Sequence, residues 1–64
     1  MGRVRRGGSI FLWWAGDQTP HHVHVYRDGV LILKWDLENR LPMTGRASSR
    51  ILSFIADLEA EELL

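Results

Sequence analysis

The chain has 64 residues, a formal net charge of zero and no cysteine, which points to one domain and excludes disulfides and thiolate metal sites. A domain this small buries roughly 60% of the surface that its unfolded chain exposes, so it needs an efficient core, a metal held by imidazoles or a partner subunit. Residues 1–50 carry eight cations against four carboxylates, whereas residues 51–64 carry four carboxylates alone, which predicts either a basic surface that attracts nucleic acid or an ordinary solvated one.

The N-terminal segment, residues 1–9, is rich in Gly and Arg and predicts a flexible basic arm. Residues 10–64 then form the single folded domain. Arginines before an apolar run are similar to the start of a signal peptide, but the run from Ile10 to Ala15 is too short for one. It is also far shorter than the ~20 residues of a membrane-spanning helix. We therefore predict a cytoplasmic protein without a membrane partner.

Three segments have the composition of β-strands: Ile10–Trp14, rich in aromatic and branched residues, then His22–Tyr26, which alternates polar residues with valine, and Val30–Leu37. The segment Gly16–Pro20 predicts a loop between the first two strands. After the third strand, residues 39–43 predict a connector.

The hairpin between the second and third strands can adopt two registers. A two-residue turn at Asp28-Gly29 mixes polar and apolar side chains on both faces. A three-residue loop, which pairs Tyr26 with Val30, separates them. One face then holds Val23, Val25, Leu31, Leu33 and Trp35, and the other holds His22, His24, Tyr26, Val30, Ile32 and Lys34. We favour this second register, because a buried face fixes the alternation of side chains.

A helix is predicted to begin at Thr44 as its N-cap. Its apolar stripe consists of Ala47, Ile51, Phe54, Ile55 and Leu58. Arg46 and Arg50 near the positive end of this helix oppose its dipole, which indicates either an anion-binding role or an ion pair of Arg46 with a carboxylate such as Asp36 or Glu38. The predicted fold is α+β: a three-stranded antiparallel sheet with one C-terminal helix packed on the valine face.

The segment from Asp17 to Val25, Asp-Gln-Thr-Pro-His-His-Val-His-Val, resembles the signature of domain-of-unknown-function family 4160, Asp-His-x-Pro-Pro-His-Val-His-Val. Gln18 stands where that family has His, and His21 stands where it has a second Pro. The resemblance covers roughly residues 9–62. It implies a strand–strand–strand–helix fold in a small bacterial protein, associated with toxin–antitoxin-like operons, and it raises the expectation of nucleic-acid chemistry.

The sheet face without the helix is the candidate site, because exposed patches of this kind usually mark an interaction surface. It carries His22, His24, Tyr26 and Lys34, together with either Phe11 and Trp13 or Leu12 and Trp14. The functional prediction is RNA binding, with Tyr26 stacking a base. Arg27, Arg46 and Arg50 are further candidates for phosphate contacts.

RNA cleavage is the smaller part of this prediction, and whether the protein is an enzyme stays open. His22 and His24 would act as general acid and base. Lys34 or Arg27 would stabilise the charge of the transition state.

Two other functions stay open at this stage. The same face could be the interface of a homodimer or of a partner protein, with Trp13 and Trp14 as aromatic anchors. Alternatively, His22 and His24 could hold Zn²⁺ together with Asp17. No other cofactor is predicted.

Overall fold

The computed structural model of the chain describes residues 2–14 and 21–64. These residues form five strands and a helix: β1 (Gly2–Arg6), β2 (Ser9–Trp13), β3 (His22–Arg27), β4 (Val30–Asp36), β5 (Leu41–Gly45) and α1 (Ser49–Ala60). The strands make one antiparallel sheet in the order β1-β2-β3-β4-β5. The predicted loop at Gly16–Pro20 lies outside the described residues. Within the described part of the chain, no helix has the length and apolar character that crossing a membrane requires.

The α+β class with a C-terminal helix is confirmed, but the prediction of a three-stranded sheet is wrong. Residues 2–6, which we assigned to the basic arm, form β1, and Leu41–Gly45, which we took largely as a connector, forms β5. Both are edge strands, where charged residues and proline are tolerated because one side of the backbone is not paired within the sheet. Their composition therefore hides their structure.

The hairpin between β3 and β4 also differs from the predicted register. Asp28 and Gly29 have φ values of 52° and 78°, the left-handed values of a two-residue type I′ turn. Arg27 therefore pairs with Val30, and Tyr26 pairs with Leu31 rather than with Val30. The predicted three-residue loop is wrong.

A β-bulge at Ile32 explains how this tight turn coexists with a buried valine face. The register shifts beside Val25, which pairs with Leu33, while Val23 pairs with Trp35. Because β4 has one extra residue there, its side chains beyond the bulge alternate so that Leu33 and Trp35 point to the core face. As a result, Leu31 lies on the opposite face from the one predicted, and Ile32 packs against the core.

The core lies between one face of the sheet and α1. Its buried members are Phe11, Val23, Val25, Leu33 and Trp35 from the sheet and Ile51, Ile55 and Leu58 from the helix. The predicted helical stripe supplies all three helical members. In a domain this small, burial of these side chains is the main favourable term in folding.

The helix begins four residues later than predicted. Ser48 is its N-cap, and the Ser48 Oγ accepts a hydrogen bond from the Ile51 N–H at 3.2 Å. Thr44 lies in β5 instead. Arg46 therefore precedes the helix, and its proposed conflict with the helix dipole disappears. Arg50 does lie in the first turn, where its guanidinium carbon is 5.5 Å from the centre of the Phe54 ring.

The acidic end of α1 is bound to two arginines of the sheet. Arg6 of β1 donates to both carboxylate oxygens of Glu61 at 2.8 Å, and Arg40 in the β4–β5 turn pairs with Glu59 at 2.9 Å. These contacts hold β1 and the turn against the helix, and they offset the unfavourable position of carboxylates at a helix C-terminus. Because both pairs are open to solvent, each contributes little to the stability of the domain.

Candidate nucleic-acid interface

The sheet face opposite α1 is organised in rows across the strands, because residues paired between antiparallel strands point to the same side of the sheet. The first row crosses all five strands and consists of Arg3, Leu12, His24, Lys34 and Thr44. The second row consists of Arg5, Ile10, Tyr26 and Leu31. Together with Trp14 and His22, which flank His24, we call these residues the outer face.

Three rings form a contiguous group at the centre of the outer face. The centres of the Trp14 and His24 rings are 5.0 Å apart with an interplanar angle of 89°. The centres of the His22 and His24 rings are also 5.0 Å apart, at 69°. His24 is therefore held edge-to-face between two neighbours, in the arrangement that aromatic pairs prefer.

The environment of His24 favours its neutral form. Its Nδ1 is buried and has no hydrogen-bond partner among residues 2–14 and 21–64. Burial lowers the pKa of His24 below the ordinary value of 6.5, and the nearby His22 and Lys34 lower it further. The centre of the outer face therefore holds a neutral imidazole, with Lys34 as its cationic neighbour on β4.

The two rows hold three cations and no carboxylate. Arg3 and Arg5 are exposed on β1, and neither forms an ion pair within the described part of the chain. Lys34 is half-buried on β4 beside His24. A surface of this sign attracts anions.

Asp36 closes one end of the outer face, where it pairs with His22 across β3 and β4. Its carboxylate accepts hydrogen bonds from the side chain and N–H of Asn39 and from the N–H of Glu38. These bonds lower the pKa of Asp36, so it stays ionised near neutral pH. The basic part of the face therefore ends at His22.

The structure brings together four of the predicted site residues and separates the others from them. His22, His24, Tyr26 and Lys34 share the outer face as predicted. Arg27 lies on the opposite side of the sheet, because it pairs with the buried Ser9. Arg50 contacts Phe54 on the side of α1, and Arg46 lies in the loop before α1.

The choice left open for β2 is resolved in favour of Leu12 and Trp14. Phe11 is fully buried beneath α1, and Trp13 packs against the core. Sequence reasoning assigned Arg3 and Arg5 to a flexible basic arm that would add phosphate contacts, and it did not predict that they lie on a strand of the sheet. The one signal for their position was the alternation of arginine with valine in residues 3–5.

Two imidazoles are close enough to share a ligand, but no third metal-binding side chain joins them among the described residues. Asp17, the third ligand of the zinc prediction, lies outside that part of the chain. The zinc site therefore stays a prediction.

Comparisons of the chain with protein-family models, with curated proteins and with solved structures found no match. The resemblance of residues 17–25 to family 4160 thus stays a prediction, and the case for a function depends on the outer face itself.

Proposed function

We propose that the outer face binds nucleic acid, and RNA in particular. The observation that carries this proposal is the row pattern, which places Arg3, Arg5 and Lys34 on one sheet face with Tyr26. Cations on one face attract the phosphates, which supply most of the affinity for nucleic acid. Aromatic rings on an open sheet stack unpaired bases, as they do in common RNA-binding modules.

The geometry supports binding better than cleavage. In a cleavage mechanism, two imidazoles lie on either side of the scissile phosphate and exchange protons with it. Here the rings of His22 and His24 contact each other, with their centres 5.0 Å apart. A phosphate could enter between them only if the rings separated. Cleavage by His22 and His24 therefore stays a prediction, and binding is the function that we propose.

The resemblance to family 4160 is consistent with this proposal, since it implies a bacterial protein linked to toxin–antitoxin-like operons. The proposal includes a cytoplasmic location, because the protein would meet such an RNA ligand there.

A second candidate function is a homodimer interface on the same face. It is favoured by the exposure of Leu31, 38% of whose surface is accessible, and by the half-buried Ile10 and Leu12 beside it. Trp14 would be the aromatic anchor of such a contact, because large rings dominate interface energies.

The proposal is tested by titrating fluorescent RNA with the protein at about 50 mM and about 200 mM salt. We expect binding that weakens steeply with salt, because bound phosphates release counterions. Lys34→Gln should weaken binding about tenfold. The matched control is Arg27→Gln, an exposed cation of the neighbouring strand on the opposite side of the sheet, which should bind like the wild type.

An absence of binding would contradict the proposal, and two further measurements would then distinguish the alternatives. If neither RNA nor DNA binds at low salt, the outer face does not bind nucleic acid. If sedimentation then shows a dimer that Trp14→Ala dissociates, the interface is the better function. In the same titrations, shortened RNA products that disappear in His24→Ala at unchanged affinity would support cleavage.

A further inference from the structure

We infer that the ligand of the outer face is a single-stranded segment of RNA that lies parallel to β3, with its phosphates over β1 and its bases over β3. This inference rests on the proposed function and specifies the form and direction of the ligand.

The direction follows from two parallel lines of side chains. Arg3 and Arg5 lie two residues apart on β1, so their Cα atoms are roughly 6.6–6.8 Å apart. His24 and Tyr26 have the same spacing on β3 and occupy the same two rows. The two lines are separated by the width of two strand spacings, about 9.4–9.8 Å. An extended polynucleotide has a matching pattern, with a line of phosphates on one side and a line of bases on the other.

The surface between the two lines is apolar. Ile10 and Leu12 of β2 lie between the arginines and the rings in both rows, and both are half-buried. Sugars and base edges can cross this strip without leaving a charged group of the protein unpaired. A second line of phosphates could not, since the strip offers them no cation.

We place the phosphates over β1 because more cations lie on that side of the rings than on the other side. Arg3 and Arg5 lie on one side, and Lys34 alone lies on the other. Lys34 is followed in its row by Thr44, so a hydrogen-bond donor and a hydroxyl lie beside each other there. These groups suit the edges of bases that stack on the rings.

The single-stranded form follows from the way the rings are presented. Tyr26 and the group of Trp14, His22 and His24 can stack only on bases whose faces are free, and a duplex hides those faces. Double-stranded RNA is contacted mainly through its phosphates and 2′-hydroxyls. A line of rings would contribute little to that contact. The spacing of the rings provides for about two or three bases.

The experiment compares one eight-nucleotide RNA as a single strand, the same sequence annealed to its complement, and the corresponding single-stranded DNA. Affinity is measured over a range of salt for the wild type, Arg3→Gln, Arg5→Gln and Tyr26→Leu. We expect the single-stranded RNA to bind at least about tenfold more tightly than the duplex. Each arginine variant should reduce the salt slope for the single-stranded RNA by about 0.7.

The ring variant should behave differently from the arginine variants. Tyr26→Leu should weaken single-strand binding by about tenfold and leave the salt slope unchanged, because it removes stacking and no phosphate contact. Tyr26→Phe keeps the ring and should bind like the wild type, and Arg27→Gln should keep both affinity and slope. Circular dichroism confirms that each variant is folded.

The outcomes separate this inference from the proposed function. If duplex and single strand bind equally, or if the salt slope is unchanged in Arg3→Gln and Arg5→Gln, the placement of the ligand is overturned while nucleic-acid binding stands. If none of the three ligands binds, the proposed function itself fails. Tighter binding of the DNA strand than of the RNA strand would overturn the assignment to RNA.

Discussion

At the scale of single residues, His24 is the most constrained side chain of the outer face. It lies between the rings of Trp14 and His22, and Lys34 is its partner on β4. Arg3 of β1 completes the charged groups of its row. Burial, His22 and Lys34 all lower the pKa of His24 and so disfavour its imidazolium form.

This environment predicts that the protein loses stability as the pH falls through the weakly acidic range. The folded-state pKa of His24 lies below the ordinary value of 6.5, so the unfolded chain takes up the proton at a higher pH than the folded chain does. The stability contributed by neutral His24 is therefore complete above pH 6.5 and is lost as the pH falls through its folded-state pKa. The Tm should decrease from about pH 7.5 to about pH 5.5.

The decrease can be assigned to His24 by substitution. His24→Gln should flatten it, whereas His21→Gln, which replaces the histidine directly before β3, should keep it. The lowered pKa values of Asp36 and Glu61 put their titration below this range. A Tm that does not depend on pH, or a dependence that His24→Gln leaves intact, would contradict the assignment.

At the scale of elements, the bulge in β4 determines how β4, β5 and the loop before α1 fit together. The carbonyl of Ile32 accepts a hydrogen bond from the Arg46 N–H at 3.3 Å. The same carbonyl faces Gly45, where a Cβ atom would overlap it. Gly45 also has a φ of 85°. The bulge therefore requires glycine at the end of β5 for two separate reasons.

Replacing Gly45 should thus cost more than replacing another glycine of similar backbone conformation. Gly29 has a φ of 78°, but nothing lies within 4 Å of its virtual Cβ. Gly29→Ala should lower the free energy of unfolding by about 1 kcal/mol through backbone strain alone. Gly45→Ala should lower it by about 2–4 kcal/mol, because the overlap with Ile32 is added to the same strain. Urea unfolding of both variants measures the difference, and equal values would show that the bulge does not approach Gly45.

The elements that the sequence predicts well are those that bury a regular set of apolar side chains. The central strands β2, β3 and β4 and the apolar stripe of α1 show the periodicity of buried structure, and their positions are close to those predicted. The edge strands lack that periodicity. β1 has arginine where a central strand has apolar residues, and β5 contains Pro42. The residue composition of a segment mainly reflects how much of it is buried. An exposed edge strand therefore has the composition of an arm or a connector.

Only part of the candidate site could likewise be predicted from the sequence. The alternation of His22, Val23 and His24 already placed the imidazoles opposite the buried valines. The position of Arg3 and Arg5 on the outer face could not be predicted, because it depends on the pairing of β1 with β2. The bulge that brings Leu31 to the outer face leaves no signal in a run of four apolar residues, Val30 to Leu33.

At the scale of the whole molecule, charges that are separated along the sequence become linked in the fold. Two of the acidic residues near the end of α1 are neutralised by Arg6 and Arg40, whereas Arg3 and Arg5 have no such partner within the described residues. The zero net charge of the chain therefore conceals a positive outer face. Long-range attraction of an anionic polymer depends on that local field and not on the net charge.

The small size of the molecule also makes its fold sensitive to the loss of one core contact. At about 0.05–0.15 kcal/mol per residue, a domain of 64 residues has a free energy of unfolding of roughly 3–10 kcal/mol. Leu33 is fully buried between the sheet and α1, whereas Leu31, two residues earlier on β4, is 38% exposed. Truncation of a buried leucine to alanine typically costs about 2–5 kcal/mol. That cost is comparable to the whole stability of the domain.

We therefore expect Leu33→Ala to unfold a large share of the protein at room temperature, and Leu31→Ala to lower the free energy of unfolding by less than about 1 kcal/mol. The comparison also tests the register, because a three-residue loop between β3 and β4 would bury both leucines on the valine face. Denaturant unfolding, with Leu33→Val as a milder variant in case Leu33→Ala does not fold, measures the two effects. Similar losses at the two positions would place Leu31 in the core, exclude the bulge at Ile32 and remove Leu31 from the outer face.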